Sequence, residues 1–364
     1  MSLSRYARQT ILPELGVAGQ ERLAAGSVLI VGAGGLGSPV ALYLAAAGVG
    51  RLGLVDFDLV DETNLQRQVI YGTPDVGRPK LAAAAARLRA LNPEVTLDLH
   101  EEPFSAANAR ALVTSCDVVV DGTDNFPTRY LVNDACVLAD TPNVYGSVFR
   151  FEGQASVFAT RGGPCYRCLH PEPPPLGLIP SCAEAGVLGV LPGLIGMIQA
   201  TEAIKLLTGI GEALVGRLLL YDALQLKFRE IALARDPDCP VCGDRPVIRE
   251  LVQYDRTCDP AETQMTAEEL HQWRAAGRPH ALVDVREPAE HAAGVIDGAV
   301  LIPLGQLMQR VGELPTDRPV VVYCQSGGRS ARAVAALRNH GVDAHNLAGG
   351  ILAWRAHGSP HVQR

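Results

Sequence analysis

The chain has 364 residues, 48% of them apolar and 20% charged, and its formal charge at pH 7 is −7. This length predicts two domains, the composition is typical of a soluble globular protein, and the short basic runs argue against nucleic-acid binding. The start of the chain has no apolar signal core, and the longest apolar stretch, 186–200, is interrupted by Pro192 and four glycines. We therefore expect a cytoplasmic protein that does not span a membrane.

Apolar strands alternate with helix-like stretches between Ser27 and Leu226. The pattern predicts strands at 28–31, 52–55 and 117–120 and helices at 36–47 and 79–90. β-Branched runs separated by helices are typical of a doubly wound, mainly parallel sheet, so the first domain, residues 1–245, is predicted to be α/β. The strands at 154–158 and 216–221 look different and predict an antiparallel extension.

A glycine-rich turn follows the first predicted strand and opens a helix. It reads Gly32-Ala33-Gly34-Gly35-Leu36-Gly37, and its glycines let the backbone approach a phosphate at the helix N-terminus. Asp56 ends the second strand, where a carboxylate can accept hydrogen bonds from ribose hydroxyls. These features predict a nucleotide site, but they fit an NAD-dependent dehydrogenase equally well.

Further polar residues follow along the chain in an order that is less common in dehydrogenases. Asn64 and Arg67 come shortly after Asp56, Lys80 opens a helix, and Asp124-Asn125 follows the strand at 117–120. Because open α/β sheets bind ligands at the carboxyl ends of their strands, we expect these side chains near the glycine-rich turn. Arg67 and Lys80 can neutralise a triphosphate, and Asp124 can bind Mg²⁺.

This ordered set resembles the adenylating enzymes of the MoeB/ThiF family, relatives of the ubiquitin-activating enzymes. The resemblance covers roughly residues 4–243 and also includes Arg8-Gln9 near the start. It implies that Arg8 reaches the nucleotide of the other subunit in a homodimer. It implies a substrate as well, a small ubiquitin-like protein whose C-terminal Gly-Gly carboxylate attacks the α-phosphate of ATP. The residues implied to bind Mg-ATP are Gly35, Asp56, Asn64, Arg67, Lys80 and Asp124.

Two CxxC pairs, Cys165/Cys168 and Cys239/Cys242, are widely separated in the chain. Four thiolates in such pairs suit tetrahedral Zn²⁺, which would join two distant segments. One pair alone would be ambiguous with a redox motif, whereas two pairs favour a structural zinc site, and the family resemblance supports it. The alternatives are four unliganded cysteines, or disulfides in an oxidising compartment.

Cys182 lies between a proline-rich loop and an apolar helix. A cysteine near a helix N-terminus can have a lowered pKa, but the residues alone favour a small buried hydrophobe. In the family that the chain resembles, the matching cysteine follows a mobile loop near the adenylate and acts as an acceptor or resolving thiol. The resemblance therefore makes Cys182 a candidate catalytic thiol.

Residues 246–263 lack periodicity and are predicted to form a linker before a smaller α/β domain at 264–364. Cys324 begins the run Cys324-Gln325-Ser326-Gly327-Gly328-Arg329-Ser330, directly after an apolar strand. Backbone N–H groups of such a loop, with the N-terminus of the next helix, lower a thiol pKa and favour a nucleophilic thiolate. The elements predicted in this domain are strands at 281–285 and 320–323 and helices at 266–276, 329–340 and 351–357.

This loop and the segment that contains Asp284 and Arg286 resemble a rhodanese domain. The resemblance implies that Cys324 carries a persulfide whose terminal sulfur is stabilised by Arg329 and the loop amides. Asp284 and Arg286 either brace the loop or form a surface salt bridge. A phosphatase or arsenate-reductase loop is the alternative, but such phosphatases usually place one more residue between Cys and Arg than the four found here.

The two domains together resemble adenylyltransferase–sulfurtransferases of the MoeZ type. ATP, Mg²⁺ and Zn²⁺ are the expected cofactors, and the expected carrier is of the MoaD, ThiS or CysO kind. Adenylation of the carrier would be followed by attack of the Cys324 persulfide, with sulfur from a cysteine desulfurase or thiosulfate. The alternatives are a thioester-forming activator of a ubiquitin-like protein, an NAD-dependent dehydrogenase, and a zinc-stabilised scaffold with a degenerate nucleotide site.

Overall fold

The computed structural model describes residues 4–172, 186–253, 264–356 and 361–362. These residues form two compact units. The first two ranges make up the N-terminal unit, and the last two make up the C-terminal unit. Residues 254–263 of the predicted linker lie outside the described residues.

An eight-stranded sheet runs through the N-terminal unit in the order β3-β2-β1-β4-β5-β6-β7-β8. Strands β1 to β5 are parallel, and β6 to β8 continue the sheet with antiparallel pairing. The predicted mainly parallel sheet with an antiparallel extension is therefore confirmed. The strands are β1 Ser27–Val31, β2 Arg51–Val55, β3 Thr96–His100, β4 Val118–Asp121, β5 Asn143–Phe149, β6 Glu152–Phe158, β7 Arg217–Asp222 and β8 Lys227–Ala232.

Helices cover both faces of this sheet, which explains why its parallel strands are apolar on both sides. Alternate residues of β1 enter different cores: Val28 and Ile30 pack with α3, α4 and α8, whereas Leu29 and Val31 pack with α5 and α6. The helices described in this unit are α1 Ala7–Thr10, α2 Gly16–Ala25, α3 Gly37–Ala47, α4 Lys80–Leu91, α5 Ala109–Thr114, α6 Phe126–Ala139, α7 Tyr166–Leu169 and α8 Val190–Thr208.

Helix α8 is the longest described helix and is apolar enough, by length and composition, to cross a membrane. Its position within the unit gives a different reason for this composition. Leu191, Ile195 and Ala203 are buried in the core beside the sheet, and the helix packs against α3 and against strands β4 to β6. The apolar residues of α8 are therefore those of a core helix.

The sheet order places a switch point between β1 and β4. From β1 the chain goes outward to β2 and β3 on one side, then returns to β4 and β5 on the other. Connections on the two sides leave a crevice at the carboxyl ends of the central strands, where open α/β sheets bind ligands. The glycine-rich turn follows β1 at this point.

The C-terminal unit contains a parallel five-stranded sheet in the order β12-β10-β13-β14-β9. A short antiparallel pair, β11 and β15, accompanies it. Its strands are β9 Gln264–Met265, β10 Ala281–Asp284, β11 Val295–Ile296, β12 Ala299–Leu301, β13 Val320–Tyr323, β14 Ala344–Leu347 and β15 His361–Val362. Its described helices are α9 Ala267–Ala275, α10 Pro288–Ala292, α11 Gly328–Asn339 and α12 Gly350–Ala356. Strand β13 is central and fully buried, so the residue that follows it lies at the middle of the sheet edge.

Candidate functional site

The glycine-rich turn leads from β1 into α3 through closely packed backbone. Gly32 has φ +93°, which disfavours any residue with a side chain. A Cβ at Gly32 would lie 2.9 Å from the carbonyl oxygen of Gly122, and a Cβ at Gly37 would collide with the carbonyl oxygen of Gly32. The turn therefore requires glycine at these positions and brings the end of β4 against it.

Asp56 fixes the turn from the neighbouring strand. Its carboxylate accepts hydrogen bonds from the amide of Ala33 at 2.8 Å and from the amide of Asp58 at 2.9 Å. A carboxylate has about four acceptor positions, so oxygen lone pairs remain for a further donor such as a ribose hydroxyl. The structure thus brings Asp56 and the glycine-rich turn together.

Lys80 begins α4 and is only 5% exposed. Its Nζ atom lies 2.7 Å from Asp58 and 3.9 Å from Asp56, so the ammonium group is held beside the same turn. A buried ammonium needs an anionic partner, and Asp58 supplies it here. The sequence analysis gave Asp58 no role of its own, and the signal that could have found it is its place just after β2.

Arg67 packs on the turn, and Asn64 ends the 3₁₀ segment at 62–64 that precedes it. The Cδ atom of Arg67 lies 3.6 Å from the position that a Cβ at Gly35 would take, so the arginine stem packs directly on the turn. Its guanidinium donates to the carbonyl of Thr63 at 3.0 Å, and the Asn64 amide lies 3.4 Å from the Thr63 hydroxyl. Arg67 therefore lies at the glycine-rich turn, whereas the Asn64 side chain contacts its neighbour Thr63.

The two site residues predicted after β4, Asp124 and Asn125, have different surroundings. Asn125 caps α6, since its side-chain oxygen accepts from the amide of Thr128 at 2.9 Å. Asp124 is exposed beside it. Arg8 is exposed on α1. Its contact with the nucleotide of a second subunit stays a prediction.

Tyr71 is a buried residue at this edge that the sequence analysis did not identify. Its hydroxyl donates to the carbonyl of Ala33 at 2.8 Å. Burial, together with Asp56 and Asp58, raises the pKa of Tyr71, so the hydroxyl keeps its proton as a donor. Tyr71 thus supplies a second hydrogen bond that holds the turn at Ala33.

The four paired cysteines lie together in the N-terminal unit. Their sulfur atoms are all within 4.8 Å of one another, with 3.6 Å between Cys165 and Cys239 and 3.4 Å between Cys168 and Cys242. Zinc–sulfur bonds of about 2.3 Å in a tetrahedron separate the sulfurs by about 3.8 Å. The four residues therefore fit a zinc ion, and they would tie α7 to the segment after β8.

Two further cysteines of the described part of the N-terminal unit, Cys116 and Cys136, are not in this cluster. Cys182 lies outside the described residues. Cys136 is buried, and burial raises its pKa well above the ordinary value. Burial likewise raises the pKa of Cys116 to about 12. Neither Cys116 nor Cys136 forms a thiolate readily, as expected for structural residues.

Cys324 follows β13 and is 1% exposed. Its sulfur accepts a hydrogen bond from the amide of Gly327 at 3.2 Å and one from the hydroxyl of Ser330 at 3.4 Å. Burial alone would raise the pKa of Cys324, but these donors, with the amides of Ser326 and Ser330, outweigh it and hold the pKa below the usual value. The loop is therefore a cradle for a sulfur anion, which we call the thiol cradle (residues 324–330).

Two helix N-termini shape the thiol cradle. Helix α11 starts within it, and Gly327 before that helix has φ +97°. The first amides of α12 bind the other side of the loop: Ile351 donates to the carbonyl of Cys324 at 2.9 Å and Leu352 to that of Gln325 at 3.2 Å. The loop carbonyls of Cys324 and Gln325 thus face α12, while the amide of Gly327 faces the sulfur.

Asp284 and Arg286 form a buried pair behind the cradle. They are 0% and 2% exposed, and two nitrogens of Arg286 bind the carboxylate at 2.7 to 3.1 Å. Burial would raise the pKa of Asp284, but hydrogen bonds from Arg286 and His291 outweigh it and lower the pKa. The pair is therefore not a surface salt bridge. It lies at the end of β10, whose neighbour β13 leads into the cradle.

Arg329 lies at the end of the cradle and binds a residue of α10. Its guanidinium forms a two-pronged ion pair with Glu290, at 2.6 and 2.7 Å. The direct hydrogen bonds to the sulfur come instead from Gly327 and Ser330. Ser330 and Glu290 are the residues of this site that the sequence analysis missed as contributors.

Comparisons with known families assign both units. A model of the ThiF family matches residues 6–241, and a model of the rhodanese-like domain matches residues 266–357.

Several known proteins are similar to this chain. The "probable adenylyltransferase/sulfurtransferase MoeZ" of Mycobacterium tuberculosis is 51% identical over 99% of this chain and 94% of that protein. The "sulfur carrier protein adenylyltransferase" of Thermus thermophilus is 56% identical over 70% of this chain and 96% of that protein. The "adenylyltransferase and sulfurtransferase MOCS3" of Sus scrofa is 44% identical over 97% and 85%. Among solved structures, E. coli MccB is similar in fold, with a TM-score of 0.60 and 23% identity over 67% of this chain and 74% of that chain.

Proposed function

The chain belongs to the ThiF family and carries a rhodanese-like domain, and from this premise we propose that it is an adenylyltransferase and sulfurtransferase acting on a small sulfur-carrier protein. The observation that carries the proposal is the Cys324 sulfur, held by an amide and a hydroxyl, on a chain whose other unit presents a nucleotide site. An activated acyl group and a nucleophilic sulfur are the two components of thiocarboxylate synthesis.

The N-terminal unit would activate the carrier. The phosphates of ATP would lie at the glycine-rich turn, where the N-terminus of α3 and the cations Arg67 and Lys80 favour negative charge. The lone pairs of Asp56 that remain free would accept from the ribose. The C-terminal carboxylate of the carrier then attacks the α-phosphate and releases pyrophosphate. A carboxylate is already nucleophilic, so positioning and charge neutralisation supply most of the rate.

Metal ions would have separate roles in this unit. Asp124, exposed after β4, would hold Mg²⁺, which neutralises phosphate charge when bound. Cys165, Cys168, Cys239 and Cys242 would hold Zn²⁺, which contributes stability by joining two segments. A reducing cytoplasm suits this thiol set, and Arg8 would complete the nucleotide site of a second subunit in a homodimer.

The C-terminal unit would supply the sulfur. A donor such as a cysteine desulfurase or thiosulfate transfers a sulfur atom to the Cys324 thiolate and gives a persulfide. The terminal sulfur of the persulfide attacks the acyl-adenylate, a carbon–sulfur bond forms, and AMP leaves. The product is an acyl disulfide between the carrier and Cys324.

Release of the thiocarboxylate requires a second thiol. We assign this step to Cys182, whose thiolate attacks the Cys324 sulfur of the acyl disulfide. The sulfur–sulfur bond to the carrier breaks, the carrier leaves as a thiocarboxylate, and a Cys182–Cys324 disulfide remains. An external dithiol then reduces this disulfide for the next cycle.

Exchanging Cys324 for alanine tests the division of labour. Cys324→Ala should retain ATP–pyrophosphate exchange in the presence of the carrier and lose thiocarboxylate formation, which mass spectrometry detects as replacement of oxygen by sulfur. Lys80→Met should lose the exchange and retain thiosulfate–cyanide sulfurtransferase activity, because Lys80 belongs to the other unit.

Cys116→Ala is the matched control, since Cys116 is a free thiol with a raised pKa. It should retain both activities. Loss of exchange in Cys324→Ala, or thiocarboxylate formation in that variant with thiosulfate as the only donor, would contradict the proposal.

A further inference from the structure

Glu290 connects a helix outside the thiol cradle to the arginine that closes it. The residue lies on α10, 39 positions before Arg329, and both of its carboxylate oxygens bind the guanidinium. Two parallel hydrogen bonds of this kind fix the orientation of a guanidinium as well as its distance. Arg329 is thus held in one position at the edge of the cradle.

The carboxylate of Glu290 is itself fixed. It accepts a hydrogen bond from the amide of Glu287 at 3.1 Å, in the capping box that starts α10. The next residue, His291, binds buried Asp284 through Nδ1 at 2.9 Å. Successive residues of one short helix therefore bind Arg329 of the cradle and the buried Asp284–Arg286 pair.

Arg329 interacts with two anions at once. Glu290 raises the pKa of Arg329 most, through their hydrogen bonds, and the sulfur of Cys324 raises it further. In the opposite direction, Arg329 lowers the pKa of Glu290 to about 2, assisted by the Glu287 amide and the charge of Arg286. The guanidinium therefore contacts the Glu290 carboxylate and interacts electrostatically with the reactive sulfur.

We propose that Glu290 is a positioning residue for sulfur transfer: it holds Arg329 at the edge of the thiol cradle and balances its positive charge. An unbalanced guanidinium would bind the sulfur anion more strongly. A more stabilised thiolate or persulfide is a weaker nucleophile, because nucleophilicity falls as thiol pKa falls. The inference rests on the proposed sulfur transfer and adds a residue that acts on it through Arg329.

The charged side chains around Arg329 form two ion-paired groups, and the charge of Arg286 also acts on Glu290. Arg286 pairs with Asp284, which also binds His291, and Arg329 pairs with Glu290. Removing the charge of Glu290 changes one of these groups and leaves the buried pair intact. The amide of glutamine can still accept from the Glu287 amide, so the capping box of α10 is preserved.

The test compares the Glu290→Gln variant with the unchanged protein, both as the full-length chain. We expect the pH midpoint of Cys324 alkylation by iodoacetamide to fall by about one pH unit, because Arg329 is no longer compensated. We expect kcat for sulfur transfer from thiosulfate to cyanide to fall about threefold, as a thiol pKa lower by one unit implies. Both assays omit ATP and the carrier, so they test Glu290 even if the carrier proves not to be the substrate.

Glu313→Gln is the matched control, since Glu313 forms the same type of ion pair with Arg310 in the same unit. It should leave the alkylation midpoint and kcat unchanged. An unchanged midpoint in Glu290→Gln, or equal effects in both variants, would overturn the proposal, because a purely structural role changes the amount of folded protein and not the titration of its thiol.

Glu290→Asp separates charge from position and decides the matter if Glu290→Gln does not fold. It retains the negative charge and withdraws the carboxylate by one methylene. We expect a midpoint near that of the unchanged protein and a reduced kcat. Wild-type kcat in this variant would overturn the positioning role.

Discussion

At the scale of single residues, the Cys324 sulfur depends on a hydroxyl six positions further along the chain. Ser330 is buried, and its hydroxyl lies 3.4 Å from the sulfur and 3.1 Å from the carbonyl of Gly327. A hydrogen bond to the thiolate favours the charged form, so it offsets the cost of burying that charge. The Cys324 thiolate is therefore stabilised by neutral hydrogen-bond donors, together with Arg329, whose positive charge Glu290 balances.

Ser330→Ala should weaken this stabilisation. The hydrogen bond lowers the pKa of Cys324, so its loss raises that pKa and moves the alkylation profile toward higher pH, by about half a unit to one unit. At neutral pH the thiolate fraction and the alkylation rate both fall. The direction is opposite to that expected for Glu290→Gln.

Ser326→Ala is the control within the same loop, because Ser326 acts on the sulfur through its backbone amide. Its alkylation profile should match that of the unchanged protein. A profile for Ser330→Ala that also matches would show that the hydroxyl does not stabilise the thiolate.

Residue identities predicted the reactive groups better than their partners. A cysteine after an apolar strand, in a loop rich in glycine, indicated a reactive thiol directly. The ion-pair partner of Arg329 could not be predicted in this way. Glu290 is distant in sequence and lies in a segment whose composition is that of an ordinary surface. Pairing across such a distance is a property of the folded chain.

At the scale of elements, Gly327 joins the thiol cradle to α11. Its φ of +97° places it in the left-handed region, and a Cβ there would lie 3.0 Å from the amide nitrogen of Gly349. The loop thus turns sharply enough for its amides to face the sulfur while the next segment packs behind it. Gly32 and Gly37 permit an equally close approach in the glycine-rich turn of the other unit.

Gly327→Ala should destabilise the C-terminal unit by about 1–2 kcal/mol, the usual cost of a left-handed conformation for a residue with a side chain. Both tryptophans of the chain, Trp273 and Trp354, lie in this unit. Tryptophan fluorescence during urea unfolding therefore reports on this unit specifically.

Gly305→Ala is the control, because a Cβ there meets no atom within 4 Å and its φ is not in the left-handed region. It should change the unfolding free energy by about 0.5 kcal/mol or less. Equal urea midpoints for the two variants would show that a side chain at position 327 introduces no strain.

Elements were predicted well where periodicity was strong. The helix at 79–90 corresponds to α4, Lys80–Leu91, and the strand at 320–323 to β13, Val320–Tyr323. The helix α10 and the strand β14 were not predicted. Helix α10 has five residues, and β14 contains His345 and Asn346 in place of the continuous apolar run that marks β13.

At the scale of the whole molecule, the chain combines two units with different sources of stability. The N-terminal unit adds the four-cysteine cluster to its apolar cores, whereas the described part of the C-terminal unit has apolar cores and a buried ion pair without such a cluster. Loss of a metal should therefore affect the first unit selectively.

Zinc removal by a chelator should lower the unfolding temperature of the N-terminal unit and reduce ATP–pyrophosphate exchange, since the four thiolates would no longer join their segments. Thiosulfate–cyanide sulfurtransferase activity and the tryptophan-monitored transition should persist. Circular dichroism and tryptophan fluorescence, recorded on the same sample, separate the two transitions.

Cys239→Ser should reproduce the effect of chelation, whereas Cys136→Ser, at a buried free thiol outside the cluster, should retain bound zinc. Zinc content measured by atomic absorption tests this directly. A metal-free protein with an unchanged thermal transition would contradict the structural role of zinc.

The two-part α/β organisation, the nucleotide and thiol motifs and the two cysteine pairs could be predicted from residue order alone, because short motifs and strand periodicity are local properties of the chain. Which groups face each other depends on the folded structure. It places Lys80 on Asp58, brings the four sulfurs within 4.8 Å and aligns Glu290 with Arg329. These pairings arise from chain segments that folding brings together, and burial then fixes their charges.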